Sequence, residues 1–394
     1  MARVDGLPTR LGGIVRASHG SESSRSRRTG SCPAGSDTLS GGIQPLGVNV
    51  VDGPQGTDWA EYLRRLIGRD REFGQAVLVV AQLGIADLVK DGPRHITELA
   101  QLTNTHEPSL YRVLRYVASQ GLFAEDSDSR FSITAGAQPL QADSANSIMA
   151  DVRWNGSEVI RRSWENLSHS VRTGQTAFDY TFGRPFFDHL ADDSEFAQVF
   201  NDAMTTSTVD EGPDIVAAHD FSHYGTVIDV GGGHGALLAV ILDRYPDVAG
   251  VLFDAPDVVA GAGGAIDRHV AAGRATRVGG SFFEDVPSGG DAYLLKYIVH
   301  DWDDEQALSI LTNCRAAMAP NGRVLIVEMV VPAGNAEAEV KHLDVTMLVF
   351  TGGRERTERE YGDLLARAGL RLLRTTPTES PFSILEAVAD YGDQ

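Results

Sequence analysis

The stretch Thr226-Val-Ile-Asp-Val-Gly-Gly-Gly-His-Gly-Ala-Leu-Leu238 joins an apolar run to an acidic residue and four glycines. The run from Val227 to Val230 predicts a strand that is covered on both faces, and the apolar residues after the glycines recur at helical spacing. The glycines supply turn dihedrals that side chains would forbid and let the backbone pass close to a ligand. This stretch therefore predicts a parallel strand, a tight turn and a helix of an α/β sheet.

A second apolar segment supports a nucleoside site beside this turn. The segment from Gly250 to Asp254 reads as the next strand, and it ends in a carboxylate. That carboxylate follows the turn by about 20 residues, which is where the ribose-binding acid of a doubly wound sheet belongs. The pair of strands predicts that the chain binds a nucleoside.

Two nucleoside cofactors fit the glycine turn. Gly231, Gly233 and Ala236 satisfy the dinucleotide pattern G-x-G-x-x-G/A, so an NAD enzyme is one interpretation. The methyltransferase interpretation needs Asp229, Gly231, Gly233 and Gly235, and all four are present. We favour S-adenosylmethionine, because a carboxylate at Asp229 can receive the ammonium of a bound amino acid but would repel a pyrophosphate.

Composition excludes several classes of protein. The 394 residues carry a net charge of −20, which repels nucleic-acid backbones and favours solubility. Cys32 and Cys314 are the two cysteines, so we expect neither a disulfide framework nor a zinc site. Such low cysteine usage suits a protein of the reducing cytoplasm. Residues 1–56 are rich in Gly, Ser and Arg without apolar periodicity, and we expect a disordered extension there. No run approaches transmembrane length.

Residues 57–142 have the order of a winged helix. Between Trp59 and Val89 apolar residues recur at intervals of three or four residues, which predicts amphipathic helices. Their apolar face is broad enough that something, such as a second subunit, must cover it. A helix, a turn, a helix and a hairpin follow. Tyr111, Arg112 and Arg115 on the second helix could read DNA, but two arginines on so acidic a chain make a poor phosphate-binding surface. We therefore predict a dimerisation domain.

The remaining chain divides into a helical segment and a sheet. Residues 143–220 are predicted helical and dense in aromatics, which are core residues with some lining a pocket. In residues 221–394 strands and helices alternate. The last two predicted strands are joined by residues 377–381, so we expect them to form a hairpin, with one edge strand running antiparallel. The fold class is α/β, a Rossmann-like sheet closed by an antiparallel hairpin.

A histidine follows one of these strands. The strand starting at Tyr293 leads into His300-Asp301-Trp302, and ligands of open α/β sheets sit outside the carboxyl ends of strands. A phenol of pKa about 10 is a poor nucleophile at neutral pH, whereas an imidazole of pKa about 6.5 can take its proton. His300 is therefore predicted to be a general base. The acids that follow, 303 to 305, suit the first turn of a helix, and no metal is required.

Five ordered motifs together carry a resemblance to a family. The chain resembles the S-adenosylmethionine-dependent O-methyltransferases of plant phenylpropanoid and bacterial polyketide pathways, which have an N-terminal winged-helix dimerisation domain. The motifs are Asp-Val-Gly-Gly-Gly-His-Gly from Asp229, Phe253-Asp-Ala-Pro, Leu295-Lys-Tyr-Ile-Val-His-Asp-Trp, Val327-Glu, and Gly352-Gly-Arg-Glu-Arg-Thr-Glu. The likeness covers nearly everything after residue 56.

The resemblance implies roles for individual residues. The family's base falls on His300 and its flanking acids on Glu328 and Glu355, with Asp301 as a further catalytic candidate. For the cofactor it implies Gly231 at the methionine portion, Asp254 on the ribose and Lys296 near the adenine, with Gly233 in the turn and Asp229 behind it. At the adenine edge the family has Gly-Asp-Phe or Gly-Asp-Met, whereas this chain has Gly280-Ser281-Phe282. Ser281 can hydrogen-bond but offers no carboxylate, and Phe282 is expected to pack on the ring.

The substrate pocket of the family takes methionines and aromatics, which match Met204, Met347 and Phe350, with Trp154 a looser match. We expect a cytoplasmic homodimer that methylates a phenolic hydroxyl of a small aromatic metabolite and binds neither nucleic acid nor membrane. Two alternatives remain open: the same fold could methylate carbon or nitrogen or run a non-methylating reaction, or a ligand-sensing regulator could have kept the pocket.

Overall fold

A computed structural model of the chain describes residues 58–336 and 339–391. The predicted extension at residues 1–56, including Cys32, lies outside the described residues. Cys314, the other cysteine, is buried with a free thiol. None of the helices in the described ranges has the length and apolar content that a membrane crossing needs.

The N-terminal part follows the predicted order of helix, turn, helix and hairpin. Asp58 caps the first helix, and Leu110, Leu114 and Val117 bury one face of the second helix of the pair, at helical spacing. The three short strands form an antiparallel sheet in the order β1-β3-β2. The elements are α1 (Trp59–Arg64), a π-helical segment (Arg65–Asp70), α2 (Arg71–Gln82), α3 (Ile85–Leu88), β1 (Arg94–His95), α4 (Ile96–Leu102), α5 (Glu107–Ser119), β2 (Phe123–Glu125), β3 (Arg130–Ile133) and a 3₁₀ turn (Ala135–Leu140).

One face of the first helical segment is left exposed by the other described residues. Ile67 is 70% exposed, Trp59 54% and Leu63 51%. Single exposed apolar residues are ordinary, but several on consecutive turns mark a surface that a partner covers. The predicted broad apolar face is therefore present here.

Six helices lead from this part to the sheet, as predicted. Their aromatic side chains form one cluster, in which Trp154 stacks on Phe196 with ring centres 5.6 Å apart and also contacts Phe350 at 6.2 Å. Phe178 and Phe186 are buried in the same cluster. The helices are α6 (Met149–Gly156), α7 (Glu158–Glu165), α8 (Leu167–Thr173), α9 (Ala177–Phe182), α10 (Phe186–Asp192) and α11 (Ser194–Ala218).

The C-terminal part is a seven-stranded sheet with a separate apolar core on each face. The strand order is β6-β5-β4-β7-β8-β10-β9, and the strands from β4 to β8 are parallel. The strands are β4 (Thr226–Val230), β5 (Ala249–Asp254), β6 (Ala275–Gly279), β7 (Ala292–Lys296), β8 (Arg323–Glu328), β9 (Leu370–Pro377) and β10 (Ser383–Ala389). The helices are α12 (Ala236–Arg244), α13 (Pro256–Gly261), α14 (Asp267–Ala271), α15 (Asp304–Ala317), α16 (Glu339–Phe350) and α17 (Glu358–Arg367).

The final hairpin is present, but its position corrects the sequence prediction. The antiparallel strand is β10, which lies between β8 and β9, so it is not the edge strand. The edge strand β9 is antiparallel to β10 and therefore runs parallel to β8. After helix α17 the chain forms β9 two places away from β8 in the sheet. The hairpin then brings β10 back into the place between β8 and β9. Hairpin residues fix the turn, but they do not fix which side of β9 the return strand takes.

Candidate active site

The predicted cofactor and catalytic residues meet at one edge of the sheet. Strands β4, β5, β7 and β8 are parallel neighbours, so their carboxyl ends lie side by side. These ends carry the glycine turn, Asp254, Lys296 and Glu328. An open α/β sheet binds its ligands in the crevice outside such ends.

The glycine turn is tightly packed and joined to β5. Gly231 has φ +69°, and a Cβ there would overlap the Ile298 side chain and lie 3.6 Å from the Phe282 ring. The Asp254 carboxylate accepts hydrogen bonds from Gly233 N and Ala255 N, both at 2.7 Å. A larger residue at position 231 would therefore displace the Ile298 side chain and would have to adopt a left-handed backbone conformation.

Asp229 lies behind this turn. Its side chain is buried, and its Oδ2 has no hydrogen-bond partner among the described residues. A Cβ on Gly232 would lie 2.6 Å from that oxygen, which places the carboxyl group directly against the turn. Burial and the neighbouring Asp254 raise the pKa of Asp229 to about 7, because both disfavour its charged form.

Ser281 and Phe282 follow β6, at the far end of the row of strands. The Ser281 hydroxyl accepts a hydrogen bond from Phe283 N at 3.3 Å. Phe282 is half-buried, and its carbonyl accepts a hydrogen bond from the Asn313 side chain at 2.9 Å. The Phe282 ring lies beside the glycine turn, since a Cβ built on Gly231 would lie 3.6 Å from it.

Lys296 ends β7 and points to α11. Its ammonium lies 3.2 Å from Glu211 Oε2 and 3.2 Å from the Thr208 hydroxyl. It also lies 4.4 Å from the centre of the Tyr297 ring. Strands β5 and β4 separate β7 from β6, so Lys296 lies on the opposite side of the turn from Ser281. The sheet order therefore disfavours the expected place of Lys296 near an adenine held at Ser281.

His300 sits in a short 3₁₀ turn, Val299–Asp301, that follows β7. Its Nδ1 lies 2.5 Å from Glu355 Oε1, and its ring stacks on Tyr297 with centres 4.8 Å apart and an angle of 10°. Its Nε2 lies 3.8 Å from Asp301 Oδ1, beyond hydrogen-bond length. The ring is thus fixed through one nitrogen, while no residue in the described part of the chain forms a hydrogen bond with the other.

Glu328 holds a different part of His300 from the part that Glu355 holds. Its Oε1 accepts the backbone N–H groups of Ile298 at 3.2 Å and His300 at 3.0 Å. Its Oε2 accepts the hydroxyl of Tyr361. Glu328 therefore fixes the backbone of the turn, and Glu355 fixes the ring.

Burial and charge oppose each other at His300. Burial lowers the pKa of the imidazole, but the carboxylates of Asp301, Glu355 and Glu328 favour the imidazolium and raise it to about 9. Burial also raises the pKa of Asp301 to about 7 and that of Glu355 above its usual range. The group that accepts a proton most readily in this cluster is the imidazole.

The expected substrate residues are brought together in part. Trp154 and Phe350 contact each other in the aromatic cluster, and Met347 is buried one turn before Phe350 on α16. Met204 is half-buried on α11, one turn before Thr208, whose hydroxyl contacts Lys296. Met204 therefore lies on the Lys296 side of the site.

Sequence reasoning missed several residues that shape the site. Tyr297 has φ +55°, a strained conformation for a tyrosine, and its ring covers one face of His300. Glu211 and Tyr361 lie on helices and belong to no motif, so only tertiary packing brings them here. A left-handed conformation leaves no signal in a sequence unless a glycine or asparagine occupies it.

The described residues contain no group of three or more His, Cys, Asp or Glu arranged to hold a metal ion.

Comparison with known families covers both parts of the chain. A family model described as an O-methyltransferase domain matches residues 164–371. A second, described as an O-methyltransferase dimerisation domain, matches residues 73–141.

Three proteins illustrate the likeness. The phenazine O-methyltransferase PhzM of Lysobacter antibioticus is 44% identical over 313 residues, which are 79% of this chain and 92% of the relative. NcsB1, an O-methyltransferase from neocarzinostatin biosynthesis solved with S-adenosylmethionine and 2-hydroxy-5-methyl naphthoic acid, superposes with a TM-score of 0.71 at 34% identity, covering 80% of this chain and 95% of NcsB1. The 8-amino-8-demethylriboflavin N,N-dimethyltransferase of Streptomyces davaonensis is 32% identical over 327 residues, 82% of this chain and 94% of the relative.

Proposed function

This chain belongs to the O-methyltransferase family, and from that premise we propose that it transfers a methyl group from S-adenosylmethionine to a phenolic hydroxyl of a small aromatic metabolite. The observation that carries the proposal is the contact of 2.5 Å between His300 Nδ1 and Glu355 Oε1. A carboxylate on one ring nitrogen fixes the tautomer, so the lone pair of the other nitrogen is presented to a substrate.

In this mechanism Nε2 of His300 accepts the phenolic proton as the oxygen attacks. Glu355 and Asp301 stabilise the imidazolium that forms, because both lie close to the ring. Glu328 and Tyr297 keep the ring in place through the backbone and through stacking. Little water reaches the imidazole itself, since the His300 side chain is 5% exposed.

The residues of the crevice fit S-adenosylmethionine. Bound there, it supplies a methyl group on a sulfonium, which is a good electrophile. The glycine turn leaves room for a ligand at Gly231 and Gly233, and Asp254 presents a carboxylate beside them for ribose hydroxyls. The Asp229 carboxyl group packs against the turn from behind.

We place the adenine at Ser281 and Phe282, and Lys296 at the opposite, methionine end. The sheet order supports this assignment, because Lys296 and Ser281 follow strands on opposite sides of β4. Lys296 is a buried cation whose charge is balanced by Glu211. Its ammonium can donate a hydrogen bond to the carboxylate of the methionine portion.

We propose that the acceptor is a flat aromatic molecule. Trp154 and Phe350 offer ring faces, and Met347 and Met204 offer side chains that adapt to different shapes. The dimerisation domain and the exposed face around Ile67 support a homodimer.

Nitrogen methylation is the alternative, because one relative is named an N,N-dimethyltransferase. The fixed His300–Glu355 pair favours oxygen, since a phenol must lose its proton to react whereas a neutral aromatic amine already has a free lone pair.

The test uses 3-amino-4-hydroxybenzoate, which carries an amine and a phenol on adjacent carbons, and 1-hydroxyphenazine. Each is incubated with the full chain and S-adenosylmethionine, and products are identified by fragmentation mass spectrometry. We expect the methyl group on oxygen, together with micromolar binding of S-adenosylhomocysteine in calorimetry and none of NAD. Methylation of the amine alone, or NAD binding in place of S-adenosylhomocysteine, would contradict the proposal.

A further inference from the structure

Arg356 is an arginine with no exposed surface and a complete set of partners. Its side chain is 0% exposed. Its Nη1 donates to the carbonyl oxygens of Val299 at 3.0 Å and Arg354 at 3.2 Å. Its Nη2 donates to the carbonyl of Trp302 at 3.0 Å and to Asp304 Oδ1 at 2.8 Å, and its Nε donates to the same carboxylate oxygen at 3.2 Å. A guanidinium has five N–H groups, and these five bonds use all of them.

The positions of these partners define what the guanidinium holds. Val299 and Trp302 flank the pair His300–Asp301, so Arg356 forms hydrogen bonds with the backbone on both sides of the proposed base. Asp304 begins the helix that follows and balances the buried charge. Hydrogen bonds from a charged donor stabilise more than neutral ones do.

The loop that carries Arg356 also carries Glu355. Arg354 N donates to the His300 carbonyl at 2.8 Å, and Glu355 N donates to Asp344 Oδ1 at 2.9 Å. Glu355 therefore reaches the His300 ring from this loop, while Arg356, the next residue, holds the backbone carbonyls of Val299 and Trp302 on either side of His300–Asp301. The two contacts together set the distance and angle between base and carboxylate.

We propose that Arg356 is a positioning residue for the reaction, which fixes the His300 turn against the loop of Glu355 so that the 2.5 Å contact between the two side chains forms. It acts through His300 and touches no reacting atom. The inference rests on the proposed function in assigning His300 as the base.

The test compares Arg356→Lys with Arg274→Lys in the full-length enzyme. Lysine keeps the charge but cannot reach four partners at once. Arg274 is the matched control, because its Nη2 also donates to two backbone carbonyls, Tyr245 at 2.7 Å and Val248 at 3.0 Å, at the opposite edge of the sheet. We expect Arg356→Lys to lower kcat by roughly 10–100-fold, as a misplaced catalytic group does, with KM and the Kd of S-adenosylhomocysteine within about twofold of wild type. Arg274→Lys should keep kcat.

A spectroscopic readout separates positioning from general loss of structure. The proton between His300 Nδ1 and Glu355 should give a far-downfield NMR resonance, assigned by its loss in His300→Ala. We expect that resonance to broaden or move upfield in Arg356→Lys and to stay unchanged in Arg274→Lys. Should Arg356→Lys fail to fold, Asp304→Asn, which leaves the guanidinium without its counter-charge, takes its place in both measurements.

The outcomes are distinguishable. An unchanged resonance in the Arg356 variant, with or without a fall in kcat, would overturn the positioning role. A shifted resonance with wild-type kcat would support the positioning and contradict the proposed function, because the geometry of His300 would then not matter for the rate.

Discussion

Two carboxylates hold His300, and they hold different atoms of it. Glu355 contacts ring Nδ1, and Glu328 accepts the backbone N–H of the same residue. The motifs indicate both glutamates, but they do not separate the two tasks, because the direction of each side chain depends on the loop that carries it. Arg354 and Arg356 show the same limit: both lie in one motif, yet the first side chain is 47% exposed and the second is fully buried.

The charge on Glu355 leads to a prediction about pH. Burial lowers the pKa of His300 and the neighbouring carboxylates raise it, with a net value of about 9. Only the neutral imidazole accepts a proton, so kcat/KM for a phenol should rise with pH and level off near that pKa. Replacing Glu355 with Gln removes an anion that favours the imidazolium, so the acid limb should move to lower pH while the maximal rate falls roughly 10²-fold.

This prediction is checked by measuring kcat/KM for the phenol against pH, at saturating cofactor, for wild type and for Glu355→Gln. Glu358→Gln is the matched control, because this exposed glutamate lies three positions further on and bonds Thr375 instead. A profile of Glu355→Gln that coincides with wild type, or that moves to higher pH, would contradict the assigned coupling.

Single elements of the sheet were more predictable than their arrangement. The strands at Val227–Val230 and Gly250–Asp254 were predicted from apolar runs and glycines, and β4 and β5 confirm them within a residue. Helix α16, which carries Met347 and Phe350, was missed. Its position is decided by the aromatic cluster on which it packs, because Val349 and Phe350 are buried there and the segment itself has no strong apolar periodicity.

The loop between α16 and α17 depends on a glycine, which gives a prediction at the scale of the element. A Cβ at Gly353 would overlap the His300 carbonyl and lie 2.6 Å from Trp302 N, and neither backbone can move away freely. Gly353→Ala should therefore destabilise the fold by about 1–3 kcal/mol and lower kcat at least tenfold.

Gly362, within α17, provides the matched control. No atom lies within 4 Å of a Cβ built there, and alanine is the better helix former. Gly362→Ala should keep kcat and stabilise by about 0.5–1 kcal/mol. Urea unfolding and steady-state kinetics measure both variants, and equal behaviour of the two alanines would show that the loop does not constrain His300.

For the whole molecule, the order of its parts followed from the sequence, whereas the neighbours of each part did not. The family models place a dimerisation domain, residues 73–141, before an O-methyltransferase domain, residues 164–371, which is the predicted order. The position of β10 inside the sheet and the approach of Glu211 to Lys296 arise from contacts between distant segments. Such contacts depend on tertiary packing, which cannot be read from local patterns in the sequence.

The exposed apolar face of the first helical segment gives a prediction about assembly. Ile67 is 70% exposed beside other apolar residues, so a partner subunit that covers this face would bury it. Ile67→Asp would place a charge in that interface and should convert a dimer into a monomer at micromolar concentration. Val171→Asp is the control, since Val171 is 71% exposed on α8, outside the first helical segment. Sedimentation velocity measures the oligomeric state of both variants. A dimer that persists in Ile67→Asp would show that the interface lies elsewhere.

The central claim is that His300 removes a proton from a phenol as the methyl group is transferred. Single-turnover transfer from labelled S-adenosylmethionine to 1-hydroxyphenazine, by wild type and by His300→Ala, tests it most directly. We predict that the variant is slower by roughly 10²–10⁴-fold while its Kd for S-adenosylhomocysteine stays within about twofold, because the base lies outside the glycine turn. Transfer by His300→Ala at the wild-type rate would contradict the account.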